Sequence, residues 1–319
     1  DAAALTAAVC EFSHGYLTEH FPHAMQQLYS CWSWWRLNND INSNSANHRR
    51  SSILIIPPKP KESFQLRVKH IAYNLLRPKN ASDLFLTGFF QLLRDVWNVT
   101  TRIEDDKRQT HRHHHVNMSI VRRKGTEPFA MMPGDVSALR DGVVRRYYHN
   151  HNVYSCGALP RVGILNRSPV SVRSILNADE IAAQIVRSLS TSNLTLNHVN
   201  VTYFEGASFW DQVDFFLNTD ILISPHGAQL TGIPFMPDCA SITEVFPFGF
   251  FYEHYFGSLA AVSGVRYGYL YMYANEPSDP IQDAKLIMKN VRRRKRYRSV
   301  NLCPPIMNIV HAVQQMIDE

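Results

Sequence analysis

From Arg161 onward the chain alternates short apolar runs with amphipathic ones, and this alternation restricts the fold more than any other feature. The runs "RVGILN" (161–166), "HVNVTYF" (198–204), "DILIS" (220–224) and "SITEVFP" (241–247) have strand length and strand composition. Between them, "LNADEIAAQIVRSL" (176–189) and "SFWDQVDFFLN" (208–218) repeat apolar residues at helical spacing. Both helices carry start signals. Asn177 precedes Glu180 by three residues, and Ser208 precedes Asp211 by three, the spacing of a capping box. Strands separated by helices must lie parallel and be joined by right-handed crossovers, which builds a Rossmann-like layer. The N-terminal half repeats the pattern more faintly, with a strand in "ILIIPP" (53–58) and a helix in "ASDLFLTGFFQLLRDVW" (81–97). The polar stretches 38–52 and 100–119 read as loops. The expected architecture is α/β, with two Rossmann-like domains at 1–153 and 154–319.

Composition limits the class. With 319 residues, 45% hydrophobic and 19% charged, the chain can bury the cores of about two domains. No run of eighteen apolar residues occurs, and "DAAALTAAVC" lacks the basic and apolar regions of a signal peptide. A membrane is therefore expected only through an anchor absent from this chain. The formal charge of +6 owes much to "VRRRKRYR" (291–298). A nucleic-acid-binding protein would interleave aromatic and basic residues, whereas only Tyr297 interrupts this run, so it reads as a solvated surface. The five cysteines form no CxxC pair, which excludes zinc-ribbon and thioredoxin readings. Six N-x-[ST] sequons, at Asn80, Asn98, Asn117, Asn166, Asn193 and Asn200, favour the lumen of the secretory pathway, endoplasmic reticulum or Golgi. Asn166 is the poorest acceptor of the six, because it ends a strand and Pro169 follows its sequon.

In open α/β sheets ligands bind at the carboxyl ends of strands, where free N–H groups and a helix dipole favour an anion. "DILISPHGAQLTG" (220–232) ends a strand there with His226, and with Gly227, which lets backbone approach a ligand closely. An isolated His-Gly pair would read as a turn. The first strand of this half, however, also ends in cations, Arg167 and then Arg173, in "GILNRSPVSVRSILN" (163–177). Guanidinium forks match phosphate oxygens, so a diphosphate suits this edge.

Taken together, "RSPVSVRSILNADEI", "FEGASFWDQVDFFLNTDILISPHGAQLTGIPFMPDCASITEVFP" and "SGVRYGYLYM" resemble glycosyltransferase family 61 over most of the C-terminal half. "SHGYLTEHFPHAM" near the N-terminus is similar to the opening of that family. The resemblance implies a GT-B fold, two Rossmann-like domains facing a cleft, and inverting transfer of xylose, N-acetylglucosamine or arabinose from a UDP-sugar to a hydroxyl of a glycan or protein. It implies no metal, with the UDP-sugar as donor substrate rather than a cofactor. Carried over by position, Arg167 and Arg173 hold the pyrophosphate, His226, Gly227 and Ala228 line the phosphate pocket, and Glu244 lies near the ribose or sugar. Gln229 and Gly232 depart from the commoner "HGAGLTN" of the family.

Inverting transfer needs a base for the acceptor hydroxyl and neutralisation of the departing diphosphate. The arginines and histidine meet the second need. For the base, Glu19 is the first candidate and His14 the second, both in "SHGYLTEHFP"; a solvated helix-surface carboxylate is the competing reading of Glu19. "HRHHH" (111–115) could hold a metal only loosely, since adjacent histidines cannot turn to one ion in a regular element. "EDD" (104–106) reads as a solvated turn. The other functional readings are a sugar-nucleotide-binding relative without catalysis, and a basic nucleic-acid-binding protein.

Overall fold

The computed structural model describes residues 7–12, 21–40, 51–56, 81–103, 118–123, 129, 131–148, 156, 159–191, 198–272 and 280–318. The chain divides into two compact units: Asp1–His149 with Ser208–Trp210, and Asn150–Ala207 with Asp211–Glu319.

The first unit contains strands β1 (Ala7–Phe12), β2 (Ser51–Ile56), β3 (Val99–Ile103) and β4 (Met118–Arg123), with helices α1 (Phe21–Asp40), α2 (Ala81–Trp97) and α3 (Pro133–Tyr147). Its sheet has the order β3-β2-β1-β4, and every pairing is parallel. The periodic residues are the buried ones: Met25, Tyr29 and Trp32 on α1, Phe85, Phe89 and Leu92 on α2, Leu139 and Val143 on α3. Tyr29 meets Phe89 edge to face at 5.3 Å. Asp135, in the first turn of α3, accepts a hydrogen bond from Ser33 and pairs with Arg36 at 2.9 Å, tying α3 to α1 at its positive dipole end.

The stretches 38–52 and 100–119, expected as loops, contain parts of strands. Residues 100–103 belong to β3, and 118–119 open β4. Both strands lie at sheet edges, and an edge strand needs no continuous apolar run. The polar sequence of "VTTRI" therefore hides its strand.

The second unit contains β5 (Arg161–Asn166), α4 (Ala178–Thr191), β6 (His198–Tyr203), all but the first two residues of α5 (Phe209–Leu217), β7 (Ile221–Pro225), a 3-10 helix (Ala228–Phe235), β8 (Ser241–Phe246), α6 (Glu253–Val262), β9 (Arg266–Tyr271), α7 (Pro280–Lys289), α8 (Val291–Tyr297) and α9 (Ile306–Asp318). The five strands are parallel in the order β6-β5-β7-β8-β9. This confirms the α/β reading. Strands β7 and β8 are buried along their whole length, while β6 and β9 at the edges alternate in exposure, as helices covering both faces of a parallel sheet require. On one face Val162, Ile164, Ile223 and Val245 pack against Ile181, Ile185 and Leu189 of α4 and Val310 and Val313 of α9.

The chain leaves β5 towards β6 on one side and returns to β7 on the other. That reversal opens a crevice at the carboxyl ends of β5 and β7, the place where doubly wound sheets bind ligands. At the opposite ends, Arg161 clamps Asp220 with two guanidinium contacts, 2.6 and 2.9 Å, so the register of these two strands is pinned away from the crevice.

Candidate functional site

The crevice is built by four segments of the second unit. Asn166, the last residue of β5, is buried, and its side chain organises the loop that follows. Its oxygen accepts from the N–H groups of Arg167 and Ile175, both at 2.8 Å, and its amide donates to the Ile175 carbonyl at 2.8 Å. This one side chain closes a nine-residue loop between strand and helix, which explains why a sequon residue is unavailable there.

Arg173 lies in that loop with φ +65°, a left-handed conformation in which any residue with a Cβ is strained. Its Nε is buried and has no hydrogen-bond partner. Burial, followed by the like charges of Arg167 and Arg298, pushes its guanidinium down to about 9, and Glu244 opposes this. Arg167 is also lowered, chiefly by burial, with Glu205 acting the other way. The Arg167 guanidinium lies against Gly227: a Cβ placed on that glycine would stand 3.0 Å from Nη1. Gly227 is extended (φ 175°), so any residue could adopt its backbone, and what a side chain there would obstruct is Arg167.

His226 follows β7. Its Nδ1 lies 2.5 Å from Glu244 Oε1, and the other oxygen of Glu244 accepts from the Tyr267 hydroxyl at 2.5 Å. Glu244 is fully buried on β8, and each of its oxygens has one of these neighbours as a hydrogen-bond partner. Burial and the Glu244 carboxylate push the Tyr267 phenol far up, so Tyr267 remains a donor. The imidazole stacks on Phe246 (5.2 Å between centroids) and contacts the rings of Phe250 and Phe256. Its orientation is thus fixed by a carboxylate and three aromatic rings, and among the described residues Nε2 makes no hydrogen bond.

Ala228 starts the 3-10 helix and is half-buried. Gln229 joins the two strand ends, its amide donating to the Leu165 carbonyl at 3.3 Å and the Ser224 hydroxyl at 3.1 Å. Gly232 is forced by packing, because a Cβ there would collide with the Phe216 ring.

Arg167, Arg173, His226, Gly227, Ala228 and Glu244 therefore occupy neighbouring segments at one end of one sheet. Glu244 reaches the others through its neighbours, since both oxygens are engaged. His14 and Glu19 lie outside the described residues, as do "EDD" and "HRHHH". Among the described residues no group of three histidines, cysteines or carboxylates could hold a metal ion, and no helix is long and apolar enough to cross a membrane. The expected capping role of Asn177 is not realised. Its amide donates to the Pro304 carbonyl at 3.0 Å, and its oxygen has no partner. Sequence reasoning misses Tyr267 within "SGVRYGYLYM" (263–272): it pairs in register with Ile242, and nothing in a strand tyrosine signals that its hydroxyl reaches diagonally to a buried carboxylate on the next strand.

The chain resembles known transferases over parts of its length. It is 38% identical over 111 residues to the EGF domain-specific O-linked N-acetylglucosamine transferase of Bos taurus, covering 35% of this chain and 20% of that one. The corresponding protein of Pan troglodytes is 30% identical over 194 residues, 56% of this chain and 35% of that one. Protein O-linked-mannose beta-1,4-N-acetylglucosaminyltransferase 2 of Xenopus laevis is 30% identical over 111 residues, 34% and 18% of the two chains. The chain spans about a fifth to a third of the length of these relatives. The crystal structure of a family 9 glycosyltransferase from Veillonella parvula aligns over 98% of this chain and 97% of that one, with 10% identity and a TM-score of 0.38. The Glycosyltransferase 61 profile spans residues 17–243 and so takes in the β5 loop arginines and the His-Gly turn after β7; the chain belongs to glycosyltransferase family 61.

Proposed function

We propose that this chain is an inverting glycosyltransferase that takes its sugar from a UDP-sugar and passes it to a hydroxyl of a glycan or glycoprotein. The observation that carries this reading is the buried, unpartnered Nε of Arg173, held in a left-handed backbone beside Arg167 and His226 at the reversal of strand order. A guanidinium whose Nε is shielded from water and makes no hydrogen bond suits an anionic ligand, and the conformational strain it bears is typical of binding sites.

In the reaction, negative charge develops on the diphosphate as the glycosidic bond to it breaks and the acceptor oxygen attacks from the opposite face. Arg167 and Arg173 neutralise that charge; His226 keeps its Nδ1 on Glu244, and its Nε2 donates to the diphosphate only when the ring carries a proton on both nitrogens. Glu244 and Tyr267 are positioning residues, acting through the imidazole. Glu19, with His14 as the second candidate, is assigned to take the proton from the acceptor hydroxyl. The two-unit chain, with its parallel α/β sheets, is read as a GT-B enzyme. Its relatives are N-acetylglucosamine transferases by name, which puts that sugar ahead of xylose and arabinose. A disulfide between Cys156 and Cys239 supports an oxidising compartment, the lumen of the endoplasmic reticulum or Golgi.

The test is a donor panel of UDP, UDP-N-acetylglucosamine, UDP-xylose and UDP-arabinose, read by thermal unfolding and by UDP release, with an oligonucleotide arm. At a hundred times Kd a ligand specific to the folded state adds about 2.7 kcal/mol, a clear shift in unfolding temperature. UDP and at least one UDP-sugar are expected to stabilise the protein, and that donor to release UDP. Stabilisation without release across a panel of acceptors points to a non-catalytic sugar-nucleotide-binding relative. Stabilisation by the oligonucleotide alone refutes the transferase reading.

A further inference from the structure

The basic run 291–298 is not uniformly a solvated surface. In this run Val291, Arg292, Arg293, Lys295 and Arg296 are exposed, whereas Arg294, Tyr297 and Arg298, the last just after α8, are partly buried. Tyr297 packs edge to face on Phe248 at 4.9 Å and lies over Gly249, where a Cβ would stand 2.7 Å from its ring. Gly249 has φ +71°, so its turn both demands glycine and leaves the space that Tyr297 fills. That packing fixes the end of α8 against the turn after β8, the strand that carries Glu244.

The chain after Arg298 then runs alongside the arginine loop. The Arg173 N–H donates to the Val300 carbonyl at 3.1 Å, the Ser174 N–H to the Asn301 side chain at 3.1 Å, and Leu302 exchanges backbone bonds of 2.8 Å with Ser174 and Leu176. Ile175 and Leu302 form a parallel bridge, and Asn177 holds Pro304. A strap of residues 300–304 is thus laced to residues 173–177, and Arg298 stands two residues before it. Arg298 is close enough to Arg173 for their charges to oppose each other. Among the described residues neither Arg167, Arg173 nor Arg298 has an ion-pair partner, and the nearby carboxylate of Glu244 is engaged by His226 and Tyr267.

We infer that Arg298 is a third cationic ligand of the nucleoside diphosphate, brought to the site by the strap and the Tyr297 anchor. This assignment rests on the donor-site reading above and adds to it a residue from the far end of the chain. Arg173 feels the like charges of both Arg167 and Arg298, which Glu244 offsets only in part, and a diphosphate removes that repulsion while satisfying the unpartnered Nε. The exposed residues of α8 have no part in it.

The experiment titrates UDP into the wild-type chain and the variants Arg298→Gln, Arg298→Lys, Arg293→Ala and Arg173→Ala, each first shown to unfold at a temperature close to wild type or above it. Arg298→Gln is expected to bind UDP about tenfold more weakly, the loss of one charge-assisted contact. Arg298→Lys should recover part of that loss, and Arg293→Ala should match wild type. If Arg298→Gln binds within twofold of wild type while Arg173→Ala binds poorly, the assignment of Arg298 is overturned and the donor site stands. If Arg298→Gln and Arg293→Ala lose affinity equally, Arg298 contributes only general charge, which also overturns it. Should Arg173→Ala bind UDP as wild type does, the donor-site reading falls and the role of Arg298 falls with it.

Discussion

Replacing Arg173 should make the free protein more stable while destroying its affinity for UDP. A left-handed backbone costs a non-glycine residue about 1–2 kcal/mol, which glycine avoids. Glycine returns about 0.5–1 kcal/mol through the greater freedom of its unfolded chain. The backbone balance of Arg173→Gly is therefore a gain of roughly half a kcal/mol. Charge adds to it. The guanidinium is pushed down to about 9, so keeping it protonated near neutrality costs the fold free energy. After local relaxation, and with some packing of the aliphatic stem lost, we expect Arg173→Gly to gain about 1–2 kcal/mol overall, and Arg173→Ala less, because alanine keeps the strained φ. The sign of the pH dependence follows. Because the folded-state value lies below the unfolded one, the unfolded chain binds the extra proton between about 9 and the ordinary arginine range. Wild-type stability should thus gain on that of Arg173→Gly as pH rises through about 9, and the difference between them should be largest below it. Urea denaturation of both proteins at pH 7.5 and at about pH 10 measures this directly. If Arg173→Gly is less stable than wild type by 1 kcal/mol or more at pH 7.5, Arg173 is a structural residue and the stored-strain argument is wrong.

Two further outcomes are expected. Glu244→Gln keeps the shape of the side chain but weakens the bonds to His226 and the Tyr267 hydroxyl to neutral ones, so chemical denaturation should show a loss of about 1.5–3 kcal/mol, with Tyr267→Phe costing about 1 kcal/mol; equal stability of Glu244→Gln and wild type would refute this. Donor turnover should survive EDTA, because arginine and histidine supply the positive charge that a divalent ion supplies elsewhere; loss on chelation with recovery in manganese would show otherwise.

Much of this site could be read in the sequence, for a physical reason. Parallel strands buried on both faces must be apolar runs, so β5, β7 and β8 are visible, and the placement of Arg167, Arg173 and His226 after their carboxyl ends follows from the sequence. Edge strands carry no such constraint, and β3 and part of β4 were lost in polar stretches. Contacts between distant segments left no local mark. Nothing in "VRRRKRYR" separates Arg298 from Arg293 until Tyr297 is seen under the turn at Gly249. Likewise, Asn177 has the spacing of a helix cap, yet its amide is taken by Pro304, a partner 127 residues away. Glu244 was placed near the sugar from its position at a strand end; its burial against Tyr267 depends on the register of β8 with β9, which periodicity does not specify.

The central claim, that the crevice after β5 and β7 holds the diphosphate of a sugar nucleotide, is tested most directly by a crystal structure of the chain soaked with UDP. Diphosphate oxygens are predicted within about 2.7–3.2 Å of the Arg173 Nε and of the Arg167 guanidinium beside Gly227, with His226 Nε2 turned towards them. UDP bound elsewhere, with the Arg173 Nε still unpartnered, would contradict it.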